Sequence, residues 1–204
     1  MINPRASLRA LAASTALFLC ASNGFALDLS AVPAGTYAVD PAHGYIHFTY
    51  THLGFSNPML RVDDFNVALE LDTEDFTNST LQVTIDAASI NSGVERFNEH
   101  LQGEDFFQTA EHPQITFVAK RIEQQPTSPA AINVVGDLTI KGITKEVLVG
   151  GRVNKADLHP FNKKPTVGVS LRAVVNRSDF DLGKYAPAVA DAMTVIIELE
   201  MQKQ

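Results

Sequence analysis

Alternation with a period of two residues runs through most of this 204-residue chain and restricts its fold more than any other feature. Phe65, Val67, Leu69 and Leu71 are interleaved with Asn66, Ala68 and Glu70, and Leu81, Val83 and Ile85 with Gln82, Thr84 and Asp86. Val167, Val169, Leu171, Ala173 and Val175 form a later stripe, and Met193, Val195, Ile197, Leu199 and Met201 the last one. Successive side chains of a strand point to opposite faces, so each segment reads as a strand with one apolar and one polar face. Such strands belong to antiparallel sheets. Further stripes lie at Ile46/Phe48/Tyr50, Ile115/Phe117/Ala119, Ile132/Val134/Leu138/Ile140 and Val147/Val149/Val153. With the segment from Tyr37 to Asp40 the total is eight or nine strands. Long strands in such a set must curl or close to hide their edges, so the expectation is an all-β, antiparallel, eight-stranded barrel.

One stretch breaks the period. Val94, Phe97 and Leu101 recur at spacings of three and four, and they predict a short helical insertion over Gly93 to Phe107 that caps one barrel end. QQPTSPAAIN, with Pro126 and Pro129, and KYAPAVADA, with Pro187, read as loops. At the N-terminus, Arg5 and Arg9 precede the apolar run from Ala10 to Ala21 and then SNGFA, the layout of a secretory signal cut after Ala26. The organisation expected is a signal peptide over 1–26 and one exported domain over 27–204. Cys20, the chain's single cysteine, leaves with the signal, which excludes thiol chemistry and cysteine-ligated metals from the mature chain. Arg5 and Arg9 leave as well, so the formal charge moves from −7 to −9. An acidic body of this kind has no electrostatic footprint for nucleic acid or anionic headgroups.

No pattern for catalysis is compelling. The Gly-x-Ser-x-Gly motif is absent, and the adjacent pairs Asp63/Asp64 and Glu104/Asp105 would split between strand faces. His43, His47 and His52 fall within ten residues, and three imidazoles can hold a catalytic zinc. That grouping defines the rival reading, a metal-dependent periplasmic enzyme, but the spacing matches no short metal motif. The barrel itself leaves two options open. Its interior is either filled by side chains or just wide enough for one ligand.

Six segments, in order, resemble the YceI-like family. They are YAVDPAHG (37–44), THLGF (51–55), INSGVERFNEHLQGEDFF (90–107), EHPQITF (111–117), GDLTIKGITKEV (136–147) and RSDFDLGKYAPAVADAMTVIIELE (177–200). The chain departs from the family at Tyr37, where Trp is usual, at Gly44 (Ser) and at Asp63 (Gly). The resemblance implies a lipocalin-like barrel located in the periplasm, not an enzyme, that needs no cofactor and holds a polyisoprenoid, prenyl quinone or similar long-chain lipid. Lining residues would then come from the inward stripes: Phe48, Phe65, Val67, Val83, Ile85, Phe117, Leu138, Leu171, Val195 and Ile197. A polar mouth would comprise His43, His52, Arg96 and Asp191, with Arg177 and Asp179 closing a strand end. The partners expected are the lipid and, transiently, a membrane or membrane-bound donor and acceptor; a homodimer is left open.

Overall fold

The computed structural model describes residues 27–125 and 128–204. The expected signal peptide, with Cys20, lies outside the described residues. The strands are β1 (Gly35–Thr49), β2 (Met59–Val62), β3 (Phe65–Leu71), β4 (Thr80–Asp86), β5 (Ile90–Asn91), β6 (Gln114–Gln125), β7 (Ser128–Ile140), β8 (Ile143–Leu158), β9 (Pro165–Asn176) and β10 (Ala192–Lys203). A single α-helix, α1 (Glu95–Gln102), stands among them in the described residues.

Ten segments make eight walls. β1 pairs with β3 through Gly35–Ala38 and with β2 through Ile46–Thr49, so β2 and β3 are two halves of one broken strand. β4 and β5 are the broken strand beside it, pairing with β3 and β2 respectively. From there each wall pairs antiparallel with the next, and β10 pairs back onto β1. The closed eight-stranded antiparallel barrel expected from the alternation is therefore present.

Closure removes the sheet edges and commits one side chain in two to the interior. Those side chains pack as two clusters stacked along the barrel axis. The lower is built on Leu29, Val32, Tyr37, Leu69 and Met201, the upper on Ile46, Leu60, Leu101, Phe107 and Phe180. Phe65, Val83, Leu138, Val195 and Ile197 pack against both and join them. The two ends are closed differently. At the lower end the N-terminal segment tucks in, with the Tyr37 hydroxyl donating to Pro33 O at 2.7 Å. At the upper end α1 and the 177–191 loop lie over the opening.

Two expectations about local structure are corrected. α1 ends at Gln102, short of Phe107, because Gly103 caps it and the chain turns under, Phe107 N donating to Leu101 O at 2.9 Å. Glu95 in its first turn and His100 in its last suit the helix dipole. The expected 124–133 loop is mostly strand: β6 continues to Gln125 and β7 starts at Ser128. Pro129 is accommodated because the ladder is irregular there, with Gln124 facing Ile132 and Gln125 facing Ser128.

Candidate ligand-binding site

The barrel interior is not solid. Its main cavity offers the centre of a water-sized sphere about 200 Å³, and every residue lining it is apolar except Arg177. Of the ten interior residues named from the stripes, Phe48, Val67, Val83, Ile85, Phe117, Leu138, Leu171, Val195 and Ile197 line this cavity. Phe65 does not. It packs against both clusters from the level of the β1 irregularity, where its ring would lie 3.1 Å from a Cβ placed on Gly44.

Above the main cavity is a second chamber of about 220 Å³ by the same measure, between the barrel rim, α1 and the 177–191 loop. Phe48, Phe107, Arg177, Leu182 and Met193 line both spaces, so the two meet at these residues. The chamber differs chemically from the cavity. It adds Tyr50, His52, His100 and Tyr185 to apolar walls from Leu60, Phe97, Leu101 and Phe106. His52 and His100 are exposed and Tyr185 half so, which marks where the chamber meets solvent.

Arg177 stands at the junction with only 6% of its surface exposed. Its Nε donates to Ala190 O at 3.0 Å, its Nη1 to Leu182 O at 2.7 Å and Lys184 O at 3.2 Å, and its Nη2 to Val189 O at 3.0 Å. Four backbone carbonyls of one loop thus replace water around a buried cation, as burial of charge requires. The same cation raises no barrier to deprotonating Tyr50; burial does, and pushes the Tyr50 hydroxyl up against the smaller opposing pull of Arg177.

The structure does not bring the four residues expected at the mouth together. His52 does line the second chamber. His43 lies on the outer wall, where β1 bulges between Val39 and Gly44 opposite Glu200; its Nδ1 is 2.9 Å from Asp40 Oδ2. Arg96 sits on the exposed face of α1 and lines neither space. Asp191 is committed to the short 3₁₀ turn Arg177–Phe180, accepting from Ser178 N at 2.8 Å and Ser178 Oγ at 2.6 Å. Sequence reasoning missed Tyr50, His100 and Tyr185, which come from three distant segments. A parity count along a single strand carries no signal for such a grouping.

The histidine triplet does not assemble. His47 alternates outward from Ile46 and Phe48 and stacks on Tyr45, with ring centroids 6.3 Å apart. Among the described residues the group with metal-ligating proximity is Asp40, His43 and Glu200, on the outside of the wall. The rival built on His43, His47 and His52 therefore loses its geometry.

The fold and site define a class: a closed antiparallel barrel with an apolar interior and a more polar antechamber. The YceI-like domain model matches residues 37–201, and the chain belongs to that family. A UPF0312 protein of Staphylococcus aureus strain MSSA476 is 35% identical over 146 residues, 72% of this chain and 81% of that protein. BcnA of Burkholderia cenocepacia has a similar structure, with a TM-score of 0.71 and 26% identity over 79% of this chain and 98% of that one. A YceI protein of Campylobacter jejuni gives 0.67 and 26% over 76% and 90%. A polyisoprenoid-binding domain from Saccharophagus degradans shares the fold at 0.61, with 13% identity over 84% of this chain and 100% of that one.

Proposed function

We propose that this protein binds one long-chain apolar lipid, a polyisoprenoid or a similar amphiphile, with its tail in the main cavity and its head in the second chamber. The observation that carries this reading is the size and uniform apolarity of the void. Protein interiors are close-packed, and voids larger than a water molecule are few. By the usual volume dependence an unfilled cavity of 200 Å³ costs on the order of 5 kcal/mol. An apolar chain offsets that cost, and water cannot, because the walls offer it no partners. The family membership and the fold shared with a polyisoprenoid-binding domain support the same reading.

The energetics favour a carrier that exchanges its cargo at a membrane. Burying hydrocarbon is worth ~0.8 kcal/mol per carbon relative to water. A bilayer offers the same lipid nearly as much, so the barrel holds it by a small margin and specificity falls to the head. The second chamber can give a head hydrogen bonds from two phenols and two imidazoles. Transport or storage within the periplasm, after export by the N-terminal signal, completes the proposal.

Leu138→Trp tests it. Leu138 lines the cavity midway between the two clusters, where an indole would take up the space of a tail. Titration with a fluorescent fatty chain should show affinity lowered about tenfold or more, with the unfolding midpoint little changed. Unchanged affinity together with a large loss of stability would show a solid core and overturn the reading.

A further inference from the structure

The upper end of the barrel also carries apolar side chains that neither chamber takes as lining. The turn joining β1 to β2 holds Phe55, 89% exposed, and Leu53, 49% exposed. Exposed Met59 follows at the start of β2. Val94, also exposed, is the residue that leads into α1 at the same end. Tyr185, half exposed, extends the patch across the second chamber's opening.

Phe55 buries almost nothing within the protein, and Leu53, Met59, Val94 and Tyr185 each leave about half or more of their surface in water, which folding alone does not account for. Leu53 is, moreover, held at φ 53°, a left-handed conformation uncommon for leucine. The surrounding backbone has two further properties. Residues 50–60 and 185–190 contain no Lys, Arg, Asp or Glu, in a chain that is 19% charged. Several of the amides here, those of Leu53 and Phe55 included, are satisfied internally: His52 N donates to Ser56 O at 2.8 Å, Phe55 N to His52 O at 2.9 Å, Leu53 N to Ala188 O at 3.2 Å and Ala190 N to Thr51 O at 2.9 Å. The two costs of taking a loop into an apolar phase, desolvated charge and unpaired backbone, are therefore both reduced here, and the nearest charges, Lys184 and Asp105, are paired with each other.

We propose that the 52–59 turn, with the adjoining 185–190 loop, is the surface by which this protein docks on a lipid bilayer, inserting Leu53 and Phe55 beside the chamber's opening. The proposal rests on the lipid-carrier reading above. A bilayer is the occupant that suits the patch, because the opening between His52, His100 and Tyr185 is bordered by the same two loops. A lipid leaving there passes from apolar wall to apolar phase without crossing water. The charge pattern specifies the kind of surface. Residues 27–204 carry 14 Lys and Arg, which is the chain's 16 less Arg5 and Arg9, against 23 Asp and Glu. Docking is accordingly by apolar insertion into an uncharged interface, and salt leaves it unchanged.

The test uses the full-length protein as purified and a double variant, Leu53→Ser with Phe55→Ser. Phe161→Ser serves as control, because Phe161 is equally exposed at 89% but lies in the β8–β9 turn at the opposite end. Flotation with phosphatidylcholine vesicles reports docking, transfer of a fluorescent polyprenol between two vesicle populations reports exchange, and organic extraction reports cargo. The wild type and Phe161→Ser should float at low and high salt alike, while the double variant loses about tenfold in both flotation and transfer rate and keeps its extractable lipid. Flotation of the double variant at the wild-type level, or an equal loss in Phe161→Ser, would overturn the proposal. A concentration-dependent dimer that the double variant dissolves, without vesicle binding, would overturn it too. If the wild type floats but neither carries nor transfers lipid, docking stands and the carrier reading fails.

Discussion

At the scale of single residues, the structure turns on side chains whose roles depend on partners remote in sequence. Arg177 is the clearest. Its guanidinium holds four carbonyls between Leu182 and Ala190, so Arg177→Met removes the donors and leaves those carbonyls buried beside an apolar group. The expected loss is about 3–5 kcal/mol in urea denaturation, with the 182–190 loop opening first in hydrogen exchange. Asp191 stabilises the same corner from outside. Hydrogen bonds from the Ser178 hydroxyl and Ser178 amide hold its carboxyl below the usual aspartate value of 3.8. A carboxylate whose folded value is depressed contributes stability that is present above its unfolded value and is lost as pH falls through the folded one. Acidification below about pH 4 should therefore loosen this turn, and Asp191→Ala should abolish that part of the pH dependence. His43 behaves in the opposite sense. The hydrogen bond to Asp40 raises its value above the ordinary 6.5, so its contribution is present below that value and fades as pH rises through the raised one. An NMR titration should show the elevation in the wild type and its loss in Asp40→Asn.

These residues also show where reading the sequence stops. Nine of ten interior positions named from alternation line the cavity, because parity along a strand is a local property and a closed barrel converts it directly into inside and outside. Phe65 is the exception although its parity is right, because the Asp40–His43 bulge in the neighbouring strand displaces the wall at its level. The upper chamber is less legible. Segment identity alone points to His43, Arg96 and Asp191, whereas Tyr50, His100 and Tyr185 are brought together only when α1 and the 177–191 loop fold over the rim.

At the scale of elements, the walls depend on a few positions where strands curl closely past one another. A Cβ on Gly136 of β7 would meet the Phe117 ring at 2.6 Å and Val118 O at 2.5 Å. On Gly151 of β8 it would strike Ser170 O and come within 2.7 Å of Leu171 Cα. Backbone cannot give way as a flexible side-chain end can. Gly136→Ala and Gly151→Ala should each destabilise by about 1–3 kcal/mol, measured as a lowered urea midpoint at unchanged slope. The helix is the weaker element. Eight residues cannot sustain a helix alone, and α1 persists because Phe97 and Leu101 face the upper cluster and Asn98 Oδ1 accepts from Ser92 N at 2.8 Å. Its early end at Gly103 was legible in principle, since glycine is a common helix stop. The apolar spacing continuing to Phe106 and Phe107 concealed it: those two rings pack inward from the turn that follows.

At the scale of the whole molecule, a continuous ladder around eight walls makes the interior a container whose ends set its access. The lower end is plugged by the N-terminal segment, with Leu29 and Val32 buried in the core. The upper end keeps two chambers in series, apolar below and mixed above, joined at Arg177. The barrel and its apolar lining were readable from period-two alternation, and the family from six ordered segments. The void was not, because the same stripes serve a filled core or an open one, and only packing in three dimensions distinguishes them. The central claim is therefore that the void has an occupant. Native mass spectrometry on the intact protein, followed by organic extraction of the same sample, tests this most directly. The account predicts one bound species of several hundred daltons per chain that extracts into organic solvent as a long-chain lipid; an apo mass with nothing extractable, from cells that make such lipids, would contradict it.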